Sequence, residues 1–290
     1  MRLALCNEVL RDRAFPEQCA YAAALGYDGL EVAPFTLGEQ APRLSAAEVA
    51  TIRRAASDAG IAITGLHWLL VQPAGLSLTS DDQRVRTTTI DVMRRLVGLC
   101  AELGGRYLVH GSPVQRRTAE GGDAGTARSR IVDALAAVAD DAARARVDYL
   151  LEPLPRDETD QVNTIAEAAA IVREIGSPAL GTMLDAKSAA LSESASPAEL
   201  VATWLPTGLL RHVQLNDRNR RAPGQGSDRF AGVLAALLAG GYAGDVAIEP
   251  FDYRPDPSGC AAFAAGYVRG LLESLQAQEE TAWKRYASAS

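Results

Sequence analysis

Residues 211–249, RHVQLNDRNRRAPGQGSDRFAGVLAALLAGGYAGDVAIE, decide the fold. Two short apolar runs, RHVQLN and DVAIE, read as buried strands and flank a helical pattern near 227–240. Each run places an oxygen-bearing side chain near its carboxyl end, Gln214 in the first and Glu249 in the second. The same arrangement recurs upstream, where VDYLLE (147–152) ends on Glu152 and LGTMLD (180–185) on Asp185. These four residues stand 33, 29 and 35 apart, about one strand plus one helix each time. Side chains recurring at that period predict parallel strands whose carboxyl ends converge on one point, where a barrel enzyme would hold a divalent metal.

The rest of the chain follows the same rhythm. Strands are expected at 2–6, 28–33, 61–67, 106–110, 147–152, 179–185, 211–216 and 245–250. Helices are expected near 15–25, 45–59, 82–103, 123–146, 161–175, 197–205, 227–240 and 258–280. Eight βα units with no run of consecutive strands imply a parallel sheet, and eight is the number that closes as a (β/α)8 TIM barrel. A doubly wound open sheet usually has fewer strands and a glycine-rich phosphate turn, which this chain lacks. A single domain is expected over 1–290, with a polar tail from about 279 to 290 that frays. Ser45 with Glu48 three residues on has the capping-box spacing, and Gly26, Gly60 and Gly104 stand where left-handed helix ends belong. The long connections, 68–81, 111–125 and 217–227, all follow strand carboxyl ends, the face where barrel active sites lie.

Bulk properties narrow the function. A net charge of −7 argues against a nucleic-acid surface, although Arg218 to Arg221 holds three arginines. No apolar run reaches the roughly 18 residues of a membrane span, and the start MRLALCNEV does not resemble a secretory signal. Cys6, Cys19, Cys100 and Cys260 are scattered without a CxxC pair, so buried thiols in a reducing, cytoplasmic setting are expected.

Alternation along the strands decides which side chains face the barrel axis. Val213 and Leu215 belong outside, leaving His212, Gln214 and Asn216 inside; Ala247 and Glu249 point inward while Val246 and Ile248 do not. By the same rule Glu152, Asp185, Glu31 and His67 point inward. An acid after a strand is often a cap for the next helix, but Pro directly follows both Glu152 and Glu249. His110 reads either as a substrate contact or as a core histidine.

The runs LLEPLPRDETDQVNT, GTMLDAKS, HVQLNDRNRRAPGQG and VAIEPF resemble the xylose-isomerase-like TIM-barrel family of sugar isomerases and epimerases. Its members include D-tagatose 3-epimerases, inosose dehydratases and 3-dehydroshikimate dehydratases. The resemblance extends from the first strand to about residue 275 and is strongest over 148–252. It implies a metal site of Glu152, Asp185, Gln214 and Glu249, with Gln214 where the family carries histidine. An all-oxygen set favours a hard ion, Mn²⁺ first, with Mg²⁺ or Co²⁺ as alternatives. The resemblance also implies that Glu158 and Arg220 bind substrate, together with the inward His67. Ser188 stands where the epimerases carry a substrate-binding histidine. The expected partner is a sugar or keto-polyol, with neither nucleic acid nor membrane, in a homo-oligomer (dimer or tetramer).

The implied chemistry is epimerisation or isomerisation through an enediolate, with Glu152 and Glu249 as acid and base. Elimination by the same constellation, as in the family's dehydratases or in cleavage of a keto-glycoside, is the alternative. A third reading is a non-catalytic accessory subunit, motivated by the changes at 188 and 214.

Overall fold

A computed structural model describes residues 1–289, with side chains as far as 278. The frayed-tail expectation for 279–290 falls outside the described side chains. Eight parallel strands, β1 (Arg2–Cys6), β2 (Gly29–Val32), β3 (Ala62–Leu66), β4 (Tyr107–His110), β5 (Asp148–Leu151), β6 (Leu180–Asp185), β7 (Leu210–Leu215) and β8 (Asp245–Ile248), pair in chain order. The closure is made by β1 on β8, with Ala4 opposite Ala247 and Leu5 opposite Ile248.

Among the described residues ten α-helices surround or cap the strands. They are α1 (Phe15–Ala24), α2 (Ala46–Asp58), α3 (Gln83–Leu103), α4 (Pro113–Arg116), α5 (Ala124–Ala145), α6 (Ile165–Ile175), α7 (Ala186–Ser192), α8 (Pro197–Trp204), α9 (Ala231–Ala239) and α10 (Pro257–Ala289). Eight of them lie where the apolar period places them. The short α4 and α7 were not expected, because one or two turns are too few residues to show a helical period. Their starts have local causes: Pro113 stands at the first turn of α4, and Asp185 caps α7 by accepting from the Ser188 N–H (2.7 Å). The capping box at Ser45 forms as expected, Glu48 Oε2 accepting from the Ser45 N–H at 2.7 Å. Gly104 ends α3 at φ 86°, a conformation that costs glycine little. No helix among the described residues is long and apolar enough to cross a membrane.

The main apolar core lies between strands and helices and contains the outward side chains of every strand, Leu5, Leu30, Leu108, Val213 and Ile248 among them. Inside the barrel, apolar packing is confined to two small groups. Tyr107, Val109, Leu150 and Met183 form one, and Ala4, Cys6 and Ala247 the other. Between and above them the interior is polar: Glu31, Thr64, His212 and Gln214 are all buried there. All four cysteines are free and buried.

Candidate active site

The carboxyl ends of β5, β6 and β8 bring Glu152, Asp185 and Glu249 together, with one oxygen of each within 4.8 Å of the others. Register puts Gln214 directly beside Asp185 on one side and Ala247 on the other. All four are buried. They sit at and beneath a narrow cleft lined also by His67, Trp68, Glu158, Lys187, Ser188 and Phe251.

Three buried carboxylates this close repel one another. Burial pushes the Glu152 carboxyl well above its usual range, and the charges of Glu249 and Asp185 add to the rise against the pull of Arg116 and Lys187. Burial likewise raises Glu249 to about 7, opposed by its hydrogen bond to His67. Asp185 is also raised by burial, against Lys187 and the donors Ser188 and Asn216. A cation among the three would relieve the repulsion.

Gln214 fits as the fourth ligand for a specific reason. Its Nε2 donates to Glu31 Oε1 at 2.6 Å, while its buried Oε1 makes no hydrogen bond. Anchoring the amide nitrogen fixes which end of the side chain is the free acceptor. The donor set is therefore three carboxylates and an amide oxygen, a hard-ion set that fits a divalent cation.

Below this layer, Glu31 is fully buried and accepts from Tyr107 Oη (2.7 Å) as well as Gln214. His212 Nε2 stands 2.8 Å from Glu31 Oε2, the oxygen that accepts from Tyr107, and the His212 ring stacks on Tyr107 with centroids 4.2 Å apart. Burial alone would raise Glu31, but the His212 and His67 charges and the Tyr107 bond bring it down to about 2. The inward positions expected for Glu31 and His212 are thus both occupied, as the base of the site.

His67 joins two acids rather than standing free. Its Nδ1 lies 3.1 Å from Glu249 Oε1 and its Nε2 3.0 Å from Glu8 Oε2. Burial opposes its charge, yet Glu8, Glu249 and Glu31 together raise it well above the ordinary imidazole value, so both nitrogens donate. Trp68 Nε1–H donates to the same Glu249 oxygen at 3.1 Å. Asn216 Nδ2 ties Asp185 Oδ2 (2.6 Å) to the Glu249 carbonyl (3.1 Å). Cys6, Glu8, His67 and Glu249 form a second close group, but His67 already spends both nitrogens there.

The other expected contacts divide. Glu158 and Ser188 line the cleft, and Ser188 Oγ is buried without a well-formed hydrogen bond. Arg220 is an exposed rim residue whose guanidinium lies 5.5 Å over the Phe251 ring. His110 does not line the cleft: its Nδ1 meets Tyr149 Oη at 2.7 Å, and Tyr149 belongs to the helix-facing core. Val109 points inward, so its neighbour His110 points outward. Burial and Arg116 press its imidazole down to about 3, a neutral core ring and not a substrate contact.

Several site residues carried little sequence signal. Glu8 lies two residues past β1, with Asn7 between, so it does not close an apolar strand as Glu152 does. Trp68 and Phe251 adjoin marked residues but gave no periodic signal. Arg116 is fully buried and donates from Nη1 to the carbonyls of Glu152 (2.6 Å) and His110 (3.2 Å), locking the strand ends beneath the acids. A buried arginine in a one-turn helix cannot be told from a surface one by pattern.

The sequence model described as xylose isomerase-like TIM barrel matches residues 19–280. The D-psicose 3-epimerase of Agrobacterium fabrum is 31% identical over 240 residues, 79% of this chain and 76% of that protein. The ketose 3-epimerase of Arthrobacter globiformis is 30% identical over 236 residues, covering 80% and 77% respectively. A solved D-psicose 3-epimerase structure, determined in the presence of D-fructose, superposes with a TM-score of 0.81 at 25% identity, over 94% of this chain and 99% of that one.

Proposed function

The chain belongs to the xylose isomerase-like TIM barrel family and is an enzyme of the isomerase/epimerase class, and on that premise we propose that it is a divalent-metal-dependent epimerase or isomerase of keto-sugars. The observation that carries this reading is the buried trio Glu152, Asp185 and Glu249 with the unpaired Gln214 Oε1 beside it. A divalent cation held by these four residues would polarise a ketose carbonyl and so acidify the neighbouring C–H.

The chain's own groups supply the proton transfers. Glu249 Oε1 is occupied by His67 and Trp68, which leaves Oε2 as the oxygen free to take or give a proton. The Glu152 carboxylate accepts no hydrogen bond among the described residues and is pushed up by burial, so it readily holds a proton. Two glutamates on separate strands, one anchored and one unanchored, can remove a proton from one face of a substrate carbon and return one to the other. His67 and Trp68 position the first, while Arg116 fixes the backbone of the second.

The test is solvent deuterium uptake by a panel of ketoses (D-psicose, D-fructose, D-tagatose, L-ribulose) with Mn²⁺ present, followed by NMR. Uptake at a carbon beside the carbonyl is expected, lost in Glu152→Gln and in Glu249→Gln. Uptake unchanged in either variant removes that glutamate from proton transfer, and no uptake by any ketose rejects the reading. Formation of an unsaturated product would assign an eliminating activity instead.

A further inference from the structure

Lys187 is a cation held inside the cleft by groups from three strand ends. It follows β6 by two residues, is only 5% exposed and lines the cavity. Its Nζ donates to Glu158 Oε1 at 2.5 Å, from the loop after β5, and lies 4.8 Å over the Phe251 ring, from the loop after β8. Its backbone N–H donates to Asn216 Oδ1 at 2.9 Å, and the same Asn216 amide holds Asp185. The ammonium is therefore fixed relative to the carboxylate trio.

A lysine head has three N–H donors, and among the described residues this one meets a single acceptor. Buried donors without acceptors are costly, and a buried ion pair seldom stabilises a fold more than apolar packing of the same shape. Ser188, the next residue, adds a buried hydroxyl on the same cleft wall that makes no well-formed hydrogen bond, although it lies near enough to Asp185 to help lower that carboxyl. Two adjacent residues thus present unused hydrogen-bonding capacity beside the acid/base pair. The side-chain entropy of the lysine is already surrendered to Glu158 and Phe251, so a ligand would not have to order it.

We propose that Lys187 is a substrate-binding residue whose ammonium, with Ser188 Oγ beside it, hydrogen-bonds an oxygen of the bound keto-sugar. The proposal rests on the keto-sugar reading above. Glu158 then acts on the substrate through Lys187, keeping the ammonium pointed into the cleft.

Calorimetric titration of D-fructose and D-psicose into the Mn²⁺-supplemented protein tests it, with bound metal and thermal unfolding measured on the same samples. Lys187→Met should weaken ketose binding about 10- to 100-fold, the loss of one hydrogen bond from a charged donor. Lys187→Arg should recover part of it, and metal content should not change. Lys187→Gln, which keeps a polar head, replaces the methionine variant should that one not fold, and an intermediate loss is expected. Wild-type affinity in Lys187→Met or Lys187→Gln, a loss that tracks loss of metal, or a wild type that binds neither ketose overturns the proposal. Solvent deuterium uptake separates the two ideas. A wild type that binds ketoses through Lys187 without exchanging their protons upholds Lys187 and rejects the acid/base reading.

Discussion

Replacing Glu31 with glutamine removes a charge from the centre of the barrel while keeping the shape of the side chain. In the metal-free protein a carboxyl brought to about 2 by His212, His67 and Tyr107, against 4.5 in the unfolded chain, contributes about 3 kcal/mol at neutral pH. A bond count gives a similar size: Tyr107 and Gln214 each donate to the carboxylate, at about 1.5–3 kcal/mol per bond to a charged group. Glutamine must turn an N–H₂ toward one of these donors. The sign with pH follows from the lowered folded value. The stabilisation is complete above about pH 4.5 and is lost as pH falls toward about 2. Urea unfolding of EDTA-treated wild type and Glu31→Gln, at pH 7 and at steps down to pH 3, measures it. The expected result is a deficit of about 3 kcal/mol at pH 7 that narrows with acidification, with a fall in melting temperature of about 6–12 °C. A variant within about 1 kcal/mol of wild type at pH 7, or a deficit that does not narrow in acid, would refute the account of Glu31 as the ionised base of the site.

Two further substitutions probe the layer above. Gln214→Ala removes the unpaired Oε1, and the unfolding midpoint should then need about tenfold more Mn²⁺ to rise by the wild-type amount; an unchanged Mn²⁺ dependence removes Gln214 from the ligand set. Gln214→His in the same assay should shift preference toward softer ions such as Zn²⁺. Gly111→Ala places a Cβ 2.2 Å from Glu152 Oε2, so the carboxylate must move. Ketose deuterium uptake should fall on the order of 100-fold, with stability reduced by no more than about 1–3 kcal/mol. Full activity with the alanine present would mean that Glu152 does not need its present position.

The architecture and the inward-facing set were legible because both depend on local pattern. A (β/α)8 barrel repeats one strand–helix unit, and the side-chain alternation within a strand is fixed by its backbone. Hence Glu152, Asp185, Gln214 and Glu249 could be aligned on one wall from their spacing alone, and Glu31 and His212 placed beneath them. What those side chains touch depends on strands distant in sequence. Closure of β1 on β8 is what brings Glu8 from one end of the chain to His67 and Glu249, and the same closed ring lets Gln214 of β7 donate to Glu31 of β2. Lys187 became a cleft residue only because the loops after β5 and β8 deliver Glu158 and Phe251 to it, and His110 turned away because its strand presents Val109 to the interior. Sequence by itself determined the barrel and the row of inward oxygen-bearing side chains, since period and alternation are properties of a single strand. The tertiary structure alone decided which acids are anchored, which are left without hydrogen-bond partners and which cation lines the cleft, since those follow from distances across the closed barrel.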